Sequence, residues 1–222
     1  MLKLHFAPGA CSFVPHAALE TIKAINGSPF ELAMLKLHKG EQSAPEYLAL
    51  NPNGQVPVLI VDGKPLTQIS AICDYLDRSA PQAALMPSEP WARSEALSML
   101  AWMNNTAHAT FAHVLLPHKF AEDEAAKAEL KRFNTALFAK QLARIEAAII
   151  KAQDQGQAHL FSQSPGFVDF YALVLLRWGG MAGIDPDTLP AYKAYVEKLA
   201  TLPAVAAAMV TERVSLNTFK KA

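Results

Sequence analysis

Cysteine is scarce in this sequence, two residues in 222, and both fit a reducing compartment, where structural disulfides are rare. An excess of charge of either sign is missing too. Twenty Lys and Arg offset 20 Asp and Glu, for a formal net charge of +0 and a pI near 7.1. The basic residues are scattered, so no stripe exists to neutralise a phosphate backbone, and nucleic acid is excluded as the expected partner. Long apolar runs are absent as well; none approaches the ~20 residues of a membrane span. The opening segment MLKLHFAPGACSF carries one Lys and an apolar stretch broken by Pro8 and Gly9, too short for a secretory signal. The expectation is a cytoplasmic protein with no membrane partner. Internal repeats and low-complexity tracts are lacking. What is present is an ordinary globular composition, 51% hydrophobic and 18% charged, enough for one large domain or two small ones.

The local patterns change character near residue 80. Residues 2–6 (LKLHF) alternate apolar and polar and predict a strand, followed by the turn Ala7-Pro8-Gly9-Ala10. A helix is predicted from Ser12 to Ala24, with Ser12 as its cap and Pro15 tolerated in the first turn. Residues 30–35 suggest a second strand and 45–50 a short helical segment. Asn51-Pro52-Asn53-Gly54 signals a turn before the β-prone run Val56–Val61, and Asp62-Gly63 then returns Pro65-Leu66-Thr67 as a hairpin partner. A helix with Ala71, Ile72, Tyr75 and Leu76 on one face closes the unit, and Cys73 within it reads as a small core residue. This order describes a small α/β domain over 1–80. Residues 81–88, with a proline near each end, read as a linker, and 89–222 as an all-helical domain. There, 122–151 spaces Leu130, Phe133, Leu137, Leu142, Ile145 and Ile149 as a helical stripe, and further helices are predicted from Gly166, over 190–200, and after Pro203.

Three motifs stand in order in the first half: Ala10-Cys11-Ser12 after the first strand, Asn51 through Leu59, and Leu66 through Ile72. Together with Trp102-Met103-Asn104 and Leu176-Arg177-Trp178 in the helical half, they resemble the glutathione S-transferases, and Pro8-Gly9-Ala10-Cys11-Ser12 resembles the bacterial beta class in particular. The resemblance implies a thioredoxin-like glutathione-binding domain followed by an all-α domain with a pocket for a second substrate. It implies a homodimer that joins glutathione, as co-substrate and with no metal, to a small hydrophobic electrophile in detoxification.

The resemblance also implies roles for individual residues. Val56-Pro57 would be a cis peptide whose Val56 backbone, next to Gln55, pairs with the cysteinyl part of glutathione as an added strand would. Gln68 precedes a helix whose free N–H groups suit the γ-glutamyl carboxylate. Ile69 departs from the usual Ser or Gly, leaving backbone donation but no hydroxyl, and Ser70 stands one place late. Cys11, at a helix entrance, is expected to have a depressed pKa and either to stabilise the glutathione thiolate or to form a mixed disulfide. Ser12 could instead donate to the glutathione sulfur. Lys39 resembles the lysine that reaches the glycyl end of glutathione. Asn104 and His108 lie four apart on one helical face and fit a wall of the site, with His108 in place of the family's His-Lys pair, whose positions hold Phe111 and Ala112. Met99, Met103, Phe111 and Leu115 are candidates for the apolar wall. Asp169 reads as a folding residue in a capping box whose usual Ser or Thr is Gly166. The plainer alternatives are an inert buried Cys11, a trans Pro57, a solvated Lys39 and a surface His108. Thiol–disulfide chemistry through Cys11 and a non-catalytic binding protein stay open as other functions.

Overall fold

The structure is a computed structural model that describes residues 1–220. Its sheet has four strands in the order β2-β1-β3-β4. The first strand, β1 (Leu2–Phe6), runs parallel to β2 (Phe30–Met34) and antiparallel to β3 (Val58–Val61), which pairs antiparallel with β4 (Lys64–Thr67). The alternation of β1 sets its register: Leu4 is buried opposite Leu32 and Leu59, while Lys3 turns to the other face. Helix α1 (Phe13–Asn26), the single turn α2 (Pro45–Leu48) and α3 (Ile69–Ser79) complete this α/β half. Cys73 is buried within α3.

The rest is helical, with no strand among the described residues after Thr67. Its elements are α4 (Pro90–Trp102), α5 (His108–Leu115), α6 (Glu124–Asp154), α7 (Phe167–Met181), α8 (Pro190–Ala200) and α9 (Pro203–Glu212). Helix α7 is buried from Phe167 to Gly180, with α1, α4, α6 and α8 packed against it. Helix α1 lies against both α7 and α9, and one apolar cluster runs from Leu4 and Phe13 through Phe138 and Tyr171 to Val205. The two halves therefore share a core. No helix among the described residues is long and apolar enough to cross a membrane.

The segment 81–88 is part of that core. Leu85 and Met86 are buried, and the Leu85 carbonyl accepts a hydrogen bond from Phe167 N–H at 3.3 Å. This contact explains Gly166. A Cβ at that position would lie 2.2 Å from the Leu85 oxygen, so Ser or Thr has no room where the family resemblance expects one. Asp169 supplies the capping alone, accepting from Gly166 N–H at 2.7 Å, from Leu160 N–H at 3.0 Å and from the Tyr195 hydroxyl. Ser164, the nearby alternative, is bonded instead to Ser162.

Candidate active site

The turn after β1 is tied from three directions. Inside it, the buried Ser12 hydroxyl accepts from Ala7 N–H at 3.1 Å and donates to the Ala7 carbonyl at 3.2 Å. Gly9, at φ +71°, donates its N–H to Glu212 of α9 at 2.8 Å and accepts from Trp178 Nε1 of α7 at 2.9 Å. The guanidinium of Arg177 lies 3.1 Å from where a Gly9 Cβ would stand, so glycine is needed for both conformation and closeness. Two expectations for Ser12 are corrected here. Its side chain does not cap α1, and its hydroxyl is spent within the turn, so it is not free for an incoming sulfur.

Cys11 is carried by this turn to the start of α1, 7% exposed, with its thiol donating to the Val56 carbonyl at 3.6 Å. Burial pushes the thiol up to about 12; the backbone N–H groups of Cys11 and Ser12 pull the other way, and the Glu212 carboxylate adds to the rise. The expected depressed pKa is thus overturned. The helix-start donors are present, but removing a thiolate from water costs more than they return.

Opposite Cys11, the Val56–Pro57 peptide bond is cis. The peptide before it is held from behind: the Gln55 carbonyl accepts from the Tyr47 hydroxyl and from Asn51 Nδ2, each at 2.7 Å. Tyr47 sits near Cys11, and burial first, then the Cys11 charge, raise its pKa to about 12. Helix α3 starts beyond, with Gln68 exposed at φ 69° and no side chain capping the end. Ile69 stands at the helix start through its backbone, as expected, and its side chain turns away from it. Its side chain is 3% exposed and packs in the main core, so only its backbone belongs to the helix start, whereas Ser70 is exposed. Lys39, at the end of the 3₁₀ turn Leu37–Lys39, is also exposed.

The helical wall centres on a π-helical turn, Met103–Ala107, between α4 and α5. Asn104 and His108 both reach Tyr171 of α7: His108 Nδ1 is 2.8 Å from the Tyr171 oxygen, and the Tyr171 hydroxyl donates to Asn104 Oδ1 at 3.1 Å. The His108 ring stands edge-on to Trp178 at 4.7 Å, and Trp178 is bonded to Gly9, so this wall abuts the Cys11 turn. Burial holds His108 down to about 4, leaving the imidazole neutral near pH 7. Burial raises the Tyr171 phenol well up, with the Cys11 and Cys73 sulfurs adding to it. Met103 and Phe111 leave the expected apolar wall: both are buried, and Phe111 stacks on Trp178 at 4.6 Å and 12°. Met99 is likewise core, and only Leu115 of those four is exposed.

Comparison with known proteins fits this geometry. Residues 2–78 match the family model described as "Glutathione S-transferase, N-terminal domain". Glutathione S-transferase GST-4.5 of Xanthomonas campestris is 30% identical over 220 residues, covering 95% of this chain and 98% of that protein. The chain belongs to the glutathione S-transferase family. Among solved structures, a glutathione transferase homologue from Sulfitobacter with bound glutathione aligns at a TM-score of 0.87 and 25% identity, over 96% of this chain and 99% of that one. A beta class transferase from Sphingomonas chungbukensis aligns at 0.79 and 28% identity, over 95% and 98%.

Within this transferase, Cys11 is joined to Val56, His108 meets Trp178, which is bonded to Gly9, Asn104 shares Tyr171 with His108, and Lys39, Gln68 and Ser70 are exposed. Sequence reasoning missed Tyr171, Tyr47 and Glu212. Nothing local marks them, because Tyr171 and Glu212 act on residues 63 and 203 positions away. Among the described residues, no group of three or more His, Cys, Asp or Glu could hold a metal ion.

Proposed function

We propose that this protein conjugates glutathione to a small hydrophobic electrophile as a homodimeric, cytoplasmic detoxification enzyme. Glutathione would lie along Gln55, Val56 and Pro57, with its γ-glutamyl carboxylate at the α3 start over Gln68, Ile69 N–H and Ser70, and its glycyl end toward Lys39. The observation that carries the reading is the Cys11 thiol, protonated by burial and already acting as a donor to the Val56 carbonyl. On glutathione binding that single S–H would turn from the Val56 carbonyl to the glutathione thiolate, and a hydrogen bond to the charged sulfur lowers the cost of holding it. The thiolate then attacks the electrophilic carbon, forming the C–S bond while the leaving group or the displaced π pair takes the electrons.

The same observation weighs against thiol–disulfide exchange through Cys11, since exchange needs the cysteine as thiolate. Calorimetric titration with glutathione tests the proposal. Wild type is expected to bind, and Cys11→Ala to bind more weakly, by several-fold up to about a hundred-fold, the worth of a hydrogen bond to a charged group. No binding by wild type at millimolar glutathione sinks it.

A further inference from the structure

Gln55 and Val56 share one peptide plane. The bond joining them is trans, so the Gln55 C=O and the Val56 N–H point in opposite directions. The Gln55 carbonyl accepts from the Tyr47 hydroxyl and from Asn51 Nδ2, each at 2.7 Å, which fills both its lone pairs. Tyr47 stands in α2 and Asn51 just beyond it, so the Val56 N–H at the other end of the plane faces away from α2. Among the described residues nothing accepts from that N–H, whereas the Val56 carbonyl accepts from the Cys11 thiol. Val56 thus keeps one unspent backbone donor beside the candidate site, and its direction is set from the far side of its own peptide.

The two groups that set it are not equivalent. Asn51 belongs to the turn that it holds: its Oδ1 accepts from Asn53 N–H at 3.2 Å and its carbonyl from Gly54 N–H at 2.9 Å. It therefore moves with residues 51–55. Tyr47 is anchored outside that turn. Its ring is buried in a small cluster with Leu35 and Val58, separate from the main core, and the His5 ring of β1 lies 5.7 Å from it. Leu35 N–H is bonded to the Phe6 carbonyl at 2.7 Å, and Val58 opens β3 opposite His5, so this cluster is fixed to the sheet. The Tyr47 hydroxyl is the tie from the sheet to the Gln55–Val56 plane, and burial keeps its proton in place.

We infer that Tyr47 is a positioning residue for glutathione: acting through Gln55, it fixes the peptide plane and so aims the free Val56 N–H at a carbonyl of the tripeptide. The inference rests on the glutathione binding proposed above and names a residue, outside the ligand's reach, that sets the affinity of that site. Tyr47→Phe keeps the ring in its cluster and removes only the hydroxyl. Calorimetric titration uses glutathione and S-methylglutathione, whose sulfur carries neither proton nor charge. Both are expected to bind Tyr47→Phe about three- to tenfold more weakly than wild type, since the loss lies in a backbone contact that they share. In the glutathione complex, the Val56 amide proton is expected to exchange with solvent faster in Tyr47→Phe than in wild type. Tyr192→Phe is the control. It deletes another buried hydroxyl, bonded to the Ala172 carbonyl at 2.6 Å, and is expected to lower the melting temperature with both affinities unchanged. Unchanged affinity in Tyr47→Phe, an equal loss in Tyr192→Phe, or unaltered Val56 exchange overturns the inference. So does a loss confined to glutathione, which would place the effect on the Cys11 sulfur, and so does a wild type that binds glutathione but not its S-methyl form. Each of these leaves glutathione binding standing, whereas a wild type that binds no glutathione overturns the inference together with the reading beneath it.

Discussion

At residue scale, Cys11 shows how burial changes a side chain that sequence position alone would assign to chemistry, and Ile69 how a position at the helix start can turn its side chain into the core. Burial pushes the Cys11 thiol up to about 12, which favours its protonated form near pH 7. Iodoacetamide labelling against pH is expected to rise only above about pH 10, later than the ~8.5 of a free thiol. A midpoint at or below that value contradicts the burial argument. Ile69 sits in the main core at the first position of α3. Ile69→Ser therefore removes packed methyl groups and encloses a hydroxyl, costing about 3 kcal/mol in chemical denaturation. Tighter glutathione binding without loss of stability would show instead that the side chain faces the ligand.

At the scale of elements, α7 depends on one carboxylate. Asp169 gathers donors from Gly166, Leu160 and Tyr195, and burial raises its pKa, against which those bonds pull. Asp169→Ala strands two backbone N–H groups and a hydroxyl in the interior. Each orphan costs about 1–3 kcal/mol, so the variant is expected to melt at least 10 °C lower or fail to accumulate folded. A melting temperature within a few degrees of wild type would mean that water reaches the site. The same end of α7 demanded glycine at 166 for space. The sequence shows a missing Ser or Thr, but the Leu85 carbonyl that excludes them lies 81 positions away by number.

At the scale of the whole molecule, α9 reaches back to the first turn. His16 Nδ1 and Glu212 Oε1 meet at 2.8 Å with both side chains fully buried, and the other Glu212 oxygen takes Gly9 N–H. Glu212→Ala leaves both donors without a partner and is expected to cost about 3 kcal/mol or more. Since the pair joins the two halves across one core, unfolding should stay a single transition at a lower denaturant midpoint. Two separate transitions in the variant would show that the halves are only loosely joined. The proposed homodimer belongs to this scale too. Large apolar side chains such as Trp91 and Leu97 of α4 and Phe133 and Ile150 of α6 are exposed, an arrangement that a partner subunit would cover. Sedimentation at micromolar concentration is expected to give twice the 24.1 kDa of one chain; a single 24.1 kDa species refutes it.

Much of the fold was legible in the order of local patterns. The alternation in LKLHF, the Asp62-Gly63 hairpin and the apolar stripe of α6 are written in neighbouring residues, and β1, the β3–β4 hairpin and α6 stand where those patterns put them. The positions of Cys11, Val56 and Gln68 in their motifs were equally plain. Tertiary structure alone decided the protonation of Cys11, the partner of the Ser12 hydroxyl, the inward turn of Ile69 and the tie between His108 and Tyr171. The physical reason is that periodicity is a property of a few adjacent residues. Desolvation, enclosure and hydrogen-bond direction are instead set by whatever the fold brings alongside, from any distance along the chain.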